Sequence, residues 1–313
     1  MNTQDIPKNY IFGPVRSRRL GFSLGVDLIP YKICSLDCPY CQLGRTTVKT
    51  IERSPYGDAD AIIAELSQVL QEKQNIDYIT LSGSGEPTLS SNLGAIIRRI
   101  KEMTEIPVAV ITNGTLLHRA EVREELSAAD LVVPSLDAVS EDIFQLVNRP
   151  HPLVTVQQML AGLEQFRNMF GGQLWLEIML LKGVNDSDAE IEKIKKAIAP
   201  IAFDRVQLNT TVRPAWDGSI TPLSVPELER IRERIGVPCE VIAGTRQKQR
   251  GVASDVEERI ARVIQRRPLN LPDIADSLNM PPALVSKHLA NLEAQGRVTT
   301  RRYGSELFYQ MTR

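Results

Sequence analysis

Three of the four cysteines in the chain lie within eight positions, at Cys34, Cys38 and Cys41 in the segment ICSLDCPYC. Thiols this crowded are more typical of a metal or iron–sulfur centre than of disulfides, and the fourth cysteine, Cys239, is remote in sequence. In a four-iron cluster, three cysteines leave one iron without a protein ligand. Such a vacant position lets a substrate or cofactor bind the metal directly. The alternative is a structural zinc site completed by Cys239 or by a histidine.

The composition favours a large α/β protein with more than one hydrophobic core. The chain has 313 residues, of which 42% are hydrophobic, and this length exceeds what one small core needs. Its 37 Lys and Arg balance 38 Asp and Glu to a net charge of −1, so any binding to nucleic acid must be local. The N-terminal residues lack the basic and apolar regions of a signal peptide, and no apolar run is long enough to cross a bilayer. We therefore expect a cytoplasmic protein with no membrane association.

Short apolar runs rich in β-branched residues alternate with segments of helical period along most of the chain. This alternation predicts repeated β–α units and a parallel sheet. The strand candidates are residues 26–30, 78–82, 108–112, 131–136, 174–181, 205–209 and 239–243. The helix candidates between them include residues 61–72, 93–103, 140–146 and 154–170.

The composition changes at TRQKQRG, residues 245–251. This polar and basic stretch has no periodicity, so we predict a linker at residues 245–254 between a domain of residues 1–244 and a second domain of residues 255–313. The second domain contains three helical patterns, followed by a predicted β-hairpin that turns at Gly304. Its helix candidates are residues 255–266, 271–278 and 281–295. Three helices and a hairpin predict a winged helix-turn-helix domain.

Polar and glycine positions follow the predicted strands, at the edge where parallel sheets place their ligands. Gly83 and Gly85 let the backbone approach a ligand closely, and the carboxylate of Glu86 is able to accept hydrogen bonds from an ammonium. Glu177 stands in an otherwise apolar strand, where a carboxylate needs a partner or a role. The other positions are Asn113, Ser135, Asp137, Gly183, Val184 and Asn185. The segment GSGEP is also typical of a β-turn and Asp137 of a helix N-cap, and both alternatives stay open.

The spacing Cys34-x-x-x-Cys38-x-x-Cys41, with Tyr40 directly before the last cysteine, resembles the signature of the radical S-adenosylmethionine (radical SAM) superfamily. The resemblance implies an α/β fold, a partial (β/α)6 barrel, with a [4Fe–4S] cluster and S-adenosylmethionine (SAM) as cofactors. It also implies that SAM chelates the vacant iron and that an electron from the reduced cluster cleaves SAM to a 5′-deoxyadenosyl radical. The segment GSGEP resembles the GGEP motif of this superfamily, with one glycine replaced by serine.

The same resemblance implies roles for the residues at the strand ends. The loop with Glu86 is expected to bind the methionine amino group, and Ser135 and Asp137 are expected to lie near the ribose or the carboxylate of SAM. The segment of Gly183, Val184 and Asn185 resembles the adenine-binding segment, with its backbone edges reading the base. The remaining expected cofactor-site residues are Tyr40, Gly83, Gly85, Asn113 and Glu177.

A closer resemblance covers nearly all of residues 11–213. The segments GPVRSRRLGFSLGVDLIPYKIC, GSGEPTL, PSLDA, NRP and VQLNTTVRP are similar to a group of radical SAM iron–sulfur oxidoreductases related to the wyosine-type tRNA synthetases. Wyosine synthetases of the archaeal type carry further cysteines upstream for a second cluster, whereas residues 1–33 contain none. We therefore expect the fold of this group without a second cluster.

Candidate substrate-binding residues lie near the expected mouth of the barrel. Arg16, Arg18 and Arg19 form a compact basic segment before the first predicted strand, and the arginine fork suits phosphate or carboxylate. Asn209 and Arg213 follow a later predicted strand. The alternatives are a solvated turn for the three arginines and local hydrogen bonding for Asn209 and Arg213.

The C-terminal segment has nine Lys and Arg against seven Asp and Glu in residues 255–313, a small excess for a DNA-binding module. The excess is concentrated where such modules touch phosphates, because Ser286 and Lys287 lie on the expected recognition helix and Arg301 and Arg302 on the expected wing. We expect nucleic-acid binding there, and the open alternative is a domain that only packs on the barrel or mediates dimers.

The sequence therefore predicts an enzyme that cleaves SAM reductively and abstracts a hydrogen atom from an unidentified substrate. An electron donor such as flavodoxin or ferredoxin is an expected partner. Two other functions stay open at this point. One is an iron–sulfur or SAM-sensing regulator that binds DNA, and the other is an activating enzyme that installs a radical on a partner protein.

Overall fold

The computed structural model describes residues 10–71, 75–243, 256–265, 267–278 and 280–312, and the predicted linker at residues 245–254 lies outside them. The strands are β1 (Ile11–Ser17), β2 (Gly21–Val26), β3 (Ile33–Cys34), β4 (Val48–Lys49), β5 (Tyr78–Leu81), β6 (Val108–Thr112), β7 (Leu131–Pro134), β8 (Gln173–Met179), β9 (Arg205–Asn209), β10 (Cys239–Val241), β11 (Leu269–Asn270), β12 (Val298–Tyr303) and β13 (Glu306–Met311). The helices are α1 (Ala59–Gln71), α2 (Leu93–Met103), α3 (Ala120–Leu126), α4 (Glu141–Val147), α5 (Val156–Met169), α6 (Asp188–Ile198), α7 (Val225–Ile235), α8 (Val256–Ile264), α9 (Leu271–Leu278) and α10 (Pro282–Ala294).

The framework is an eight-stranded sheet with the order β1-β2-β5-β6-β7-β8-β9-β10. β1 and β2 are antiparallel, and every neighbouring pair from β2 to β10 is parallel. The strands are buried by the helices between them, so that Leu24, Leu81, Val110 and Leu176 are fully inaccessible. A mostly parallel sheet with crossover helices is the α/β arrangement that the alternating apolar runs predict.

The start of the sheet differs from the prediction. The first strand, predicted at residues 26–30, is β2 and ends at Val26, and β1 was not predicted. The Gly-Pro pair at residues 13–14 and the following arginines interrupt the alternation of apolar and polar residues that is typical of a strand. Because the turn between β1 and β2 contains Arg18 and Arg19, this hairpin fixes two of the candidate substrate residues to the sheet.

The C-terminal unit, residues 256–312, consists of α8, α9, α10 and a three-stranded antiparallel sheet with the order β11-β13-β12. Three helices and the hairpin occur as predicted, whereas β11 has two residues and is too short to show a period. The unit packs on β1, since Val15 shares a buried cluster with Ile260 and the Arg16 amide donates to Ser277 Oγ at 3.2 Å. No helix among the described residues is long and apolar enough to cross a membrane.

Residues 32–41, which we call the cysteine loop, are hydrogen-bonded to the loop that follows β5. The Lys32 amide donates to Ser84 O at 2.7 Å, and the Glu86 amide donates to Ile33 O at 3.1 Å. Gly85 lies between Ser84 and Glu86, and a Cβ at Gly85 would lie 2.1 Å from Ile33 O. Only glycine lets the two loops come this close, which explains the glycine in GSGEP by packing.

We expect Gly85→Ala to lower the free energy of unfolding by about 1–3 kcal/mol, because the new methyl group overlaps backbone that cannot rotate away. The matched control is Gly171→Ala, since a Cβ there meets nothing within 4 Å and the change should stay within about 0.5 kcal/mol. Chemical denaturation of the three proteins measures both. Equal losses in the two variants would mean that the loops do not pack as described.

Candidate functional site

The thiols at the two ends of the cysteine motif each have a nitrogen donor. Asn113 Nδ2 lies 3.5 Å from Cys34 Sγ, and Lys32 Nζ lies 3.2 Å from Cys41 Sγ. Asn113 follows the end of β6, as the sequence predicts for a site residue. Lys32 is buried and its backbone is left-handed, with φ 59°. This conformation is uncommon for a lysine and is typical of functional constraint.

Cys38 lies beside a buried group of three polar side chains. Asn148 Nδ2 is 3.5 Å from Cys38 Sγ and donates to Asp137 Oδ2 at 2.7 Å. The Tyr40 hydroxyl donates to the same oxygen at 2.5 Å. Burial raises the pKa of Asp137 to about 6, although the Tyr40 and Asn148 donors act to lower it. The helix N-cap alternative for Asp137 is wrong, because Ser140 caps α4.

The electrostatics of the cysteine loop fit a positively charged centre. Burial raises the pKa of Cys34 to about 12 and raises that of Cys38 further. Burial acts to lower the pKa of Lys32, but the thiols of Cys41 and Cys34 outweigh it and raise that pKa. Thiolates are the iron ligands, and bound metal supplies the charge that stabilises them. Among the described residues, no three His, Cys, Asp or Glu side chains converge on one ion position.

Glu86 connects the ends of two neighbouring strands. Its buried carboxylate accepts from Thr88 N at 3.0 Å and Thr88 Oγ1 at 2.6 Å. It also accepts from Thr112 Oγ1 at 2.6 Å and Asn113 N at 2.7 Å. Burial raises its pKa, while these donors act to lower it. The carboxylate therefore has a structural role at the site, and its contact with the methionine amino group stays a prediction.

The segment predicted to bind adenine follows β8 and is fixed by side-chain hydrogen bonds to the backbone. Asn185 is buried and donates from Nδ2 to Asp137 O and to Met179 O, both at 2.7 Å. Val184 packs against the core, and Gly183 is left-handed, with φ 74°. The side chain of Asn185 is thus used within the fold, and only the backbone edges of this segment are open to a base.

A charged network joins several of the predicted residues across the sheet. Arg19 donates through Nη1 and Nη2 to Glu177 at 2.6 and 2.8 Å. Asn209 Nδ2 donates to Glu177 Oε1 at 2.6 Å and Asn209 Oδ1 accepts from Arg18 Nη1 at 2.8 Å. Burial acts to raise the pKa of Glu177, and Arg19 outweighs it and lowers that pKa. Ser135 bridges to Glu177 at the neighbouring strand end.

The other two candidate arginines are also held in the fold. Arg213 is only 5% exposed, and its Nη2 lies 3.3 Å from Asp273 Oδ2 in α9. The Arg16 guanidinium lies 5.8 Å from the centre of the Phe22 ring. The Arg19 side chain is 11% exposed, so the alternative of a solvated turn is wrong for it.

The residues predicted to contact nucleic acid are accessible. Ser286 and Lys287 are exposed on α10, and Arg301 and Arg302 are exposed on β12. Nucleic-acid binding by these residues stays a prediction. The next residue on the same strand faces the main sheet instead, because Tyr303 OH lies 3.3 Å from Thr211 Oγ1.

Sequence reasoning did not assign a role to three residues that the structure brings into the site. Asp27 is buried and accepts from Ser84 N at 3.1 Å and Ser84 Oγ at 2.6 Å. This pair explains the serine that departs from the GGEP motif, and an acid within the apolar run VDLIP was the available signal. Asn148 and Arg267 gave no comparable local signal, because their partners are distant in sequence.

A cavity of about 290 Å³ joins the cysteine loop to the C-terminal unit. Its wall includes Tyr40 and Cys41 on one side and Arg267 on the other. Met179 and Thr211, at the ends of β8 and β9, lie between them. A polar ligand in this space would contact residues from the motif and from the second unit at once.

Comparison with protein-family models assigns the chain to a superfamily. The model of the radical SAM superfamily matches residues 28–194, which contain the cysteine loop and the strand ends described above. The chain belongs to the radical SAM superfamily. It is therefore an enzyme, and the superfamily's [4Fe–4S] cluster and SAM are its cofactors. Cleavage of SAM is general to this superfamily, whose enzymes need a reductant and a substrate.

Relatives of this radical SAM protein cover most of the chain. The UPF0026 protein MJ1312 of Methanocaldococcus jannaschii is 33% identical over 95% of this chain and 94% of its own length. A protein called GTPase Obg from Brachyspira hyodysenteriae is 41% identical over 92% of this chain, which spans only 43% of that relative. The solved structure of TYW1 with a lysine-pyruvate adduct bound has a TM-score of 0.53 at 16% identity, over 72% of this chain and 75% of that one. That likeness shows the fold alone. The regulatory and radical-activating alternatives gain no support from these matches.

We expect Lys32→Gln to lower the reduction potential of the reconstituted cluster. The ammonium beside Cys41 stabilises the more negative reduced state, and its removal takes that stabilisation away. The control is Lys101→Gln, since Lys101 lies in the last turn of α2 and pairs with Asp130. Redox titration followed by electron paramagnetic resonance gives both potentials. A potential unchanged in the Lys32 variant would show that this ammonium does not act on the cluster.

Proposed function

We propose that this radical SAM enzyme holds a [4Fe–4S] cluster on Cys34, Cys38 and Cys41, within a partial (β/α)6 barrel, and cleaves SAM reductively. The observation that carries the proposal is the set of three half-buried thiols on one loop, each with its own nitrogen donor, beside a cavity. Three donors that fix three sulfur positions favour a bound cluster over a loop that is free to rearrange.

When bound, the cluster supplies one electron that cleaves SAM to methionine and a 5′-deoxyadenosyl radical. The chain's own residues then have three tasks. The loop of Gly83, Gly85 and Glu86 orients the methionine end, because its backbone lies against the cysteine loop. Ser135 and Asp137 lie where the ribose or carboxylate is expected. The backbone of residues 183–185 reads the adenine edge.

We place the substrate in the cavity of about 290 Å³ beside Cys41. Hydrogen-atom abstraction needs the substrate carbon next to the 5′ position, and it needs water kept away from a reactive radical. The apolar side chains of Leu20, Ile111 and Met179 in the cavity wall exclude water, while Thr211 offers a polar contact.

The reductant is proposed to approach over Trp216. The Trp216 indole donates to Cys38 O at 2.9 Å, and the guanidinium groups of Arg149 and Arg45 lie 5.2 and 5.4 Å from its ring. The side chain of Arg45 is 74% exposed. Arg45 pairs with Asp37 at 3.7 Å and Arg149 with Asp217 at 3.0 Å, and an acidic electron carrier such as flavodoxin or ferredoxin would compete for these arginines.

The C-terminal unit is proposed to be a winged helix-turn-helix domain at residues 255–313, linked through residues 245–254 to a barrel of residues 1–244. Its order of three helices and a hairpin supports this. Exposed Lys287, Arg301 and Arg302 are its candidate contacts with nucleic acid. Its packing on β1 and Arg16 supports a second role at the substrate cavity.

Cys38→Ala is expected to abolish the cluster, because a four-iron centre with two protein thiolates is not retained through purification. The variant should contain no stoichiometric iron after anaerobic reconstitution and should release no 5′-deoxyadenosine from SAM in the presence of dithionite. Cys239→Ala is the matched control. Cys239 lies on β10 and its charged neighbours are Arg232, Glu240 and Glu229, so this variant should load iron and cleave SAM.

Iron analysis and chromatography of the reaction mixture measure the two quantities. Full iron loading in the Cys38 variant would contradict the assignment of the ligands. A wild-type protein that carries its cluster but never releases 5′-deoxyadenosine would contradict the proposed reaction.

A further inference from the structure

Four arginines and two carboxylates meet where the C-terminal unit covers the cavity. Glu177 is neutralised by the two-pronged contact from Arg19 at 2.6 and 2.8 Å. Asp273 lies 3.3 Å from Arg213. Arg18 donates to the neutral amide oxygen of Asn209, and it shares the attraction of Glu177 and Asp273 with the arginines already paired to them.

Arg267 is the fourth arginine and comes from the connection between α8 and β11. It lines the same cavity as Cys41. Burial lowers its pKa well below the ordinary value, and Arg213 and Arg18 add to that effect. Within the described part of the chain, no carboxylate lies within ion-pair distance of this guanidinium. Four guanidinium groups therefore face two carboxylates, and the region has an excess of two positive charges.

The buried nitrogen atoms of this region are also incompletely bonded. Arg213 Nε and Arg16 Nη1 are inaccessible and have no hydrogen-bond partner among the described residues. Burial lowers the pKa of Arg18 to about 10, with further contributions from Arg213 and Arg19. A buried nitrogen without a hydrogen-bond partner is unfavourable, and a bound anion close to these arginines would lower that cost.

We propose that the cavity binds a substrate through a dianionic oxyanion group, a phosphate monoester or a dicarboxylate, which contacts Arg267 in the cavity wall and is attracted by the charges of Arg18 and Arg213 behind it. The inference rests on the proposed function, since it names the substrate class of the same site. Two negative charges match the excess of four guanidinium groups over two carboxylates, and an arginine fork binds such oxygens in pairs. The C-terminal unit is then part of the active site, because it contributes Arg267.

The negative charge expected on the cysteine loop is balanced by a lysine, and the cysteine loop is therefore electrostatically separate from the arginine network. Lys32 Nζ donates to Cys41 Sγ at 3.2 Å, and no corresponding contact joins a described arginine of the network to a cysteine sulfur. The cavity extends from the thiol end to the arginine end, so a substrate anchored at Arg267 presents its other end toward the site of radical formation. At about 290 Å³ the space suits a small molecule or the reacting end of a larger one.

The experiment measures the melting temperature of the full chain in phosphate, in malonate and in sodium chloride at matched ionic strength, before and after cluster reconstitution. The wild type is expected to gain on the order of 5 °C in phosphate or malonate over chloride. Arg267→Leu should lose this gain, and Arg267→Lys should retain part of it. The control Arg262→Gln, at an exposed position on α8, should respond as the wild type does.

A larger gain in phosphate assigns a phosphate ester, and a larger gain in malonate assigns a dicarboxylate. Equal melting temperatures in all three salts, or a full gain in Arg267→Leu, would overturn the proposal. So would a gain that disappears on reconstitution, because the cluster itself would then neutralise the arginines. None of these measurements requires SAM cleavage, so a protein that cleaves SAM without an anion response fails this proposal alone.

Discussion

The placement of three half-buried thiols on one short loop is the constraint on which the rest of the site depends. A buried thiolate is costly, and burial holds the pKa of Cys34 near 12, so the thiolate form needs bound metal and directed donors. Those donors come from three places, at Lys32, Asn113 and Asn148. The loop after β5 is in turn pressed against the cysteine loop. The neighbouring strands β2, β5, β6 and β7 are parallel, so the loops that follow them meet at one edge of the sheet.

The end of the cavity at Arg267 has an excess of positive charge, whereas the end at Cys41 has an expected excess of negative charge. At the thiol end negative charge is buried and a lysine offsets it. At the arginine end positive charge is in excess, with Glu177 and Asp273 facing four guanidinium groups. Because Cys41 and Arg267 both line the cavity, the proposed site has a polarity along its length, and a substrate that carries an anion has one favourable orientation in it. Attachment of the C-terminal unit to β1 gives this polarity a structural basis, because the unit supplies both Asp273 and Arg267.

The sequence predicts the parallel strands well, because each is a continuous buried run bounded by turn residues. It also brings Cys34, Asn113, Asp137 and Glu177 to one edge through the rule that ligands bind at the carboxyl ends of parallel strands. It fails at β1, where a Gly-Pro pair and arginines hide the strand period. The role of Asn148 in the NRP segment is hidden for another reason, since its partners Cys38 and Asp137 are set by tertiary packing. Arg267 lies in the connection between α8 and β11, and no local sequence pattern predicts where this connection packs on the main sheet.

The central claim is that three protein thiolates hold the cluster and that SAM occupies the remaining iron. The most direct measurement is the electron paramagnetic resonance spectrum of the reduced, reconstituted protein before and after addition of SAM. We expect SAM to change the g-values of the cluster signal, because it would replace a ligand of one iron. A spectrum identical with and without saturating SAM would contradict it.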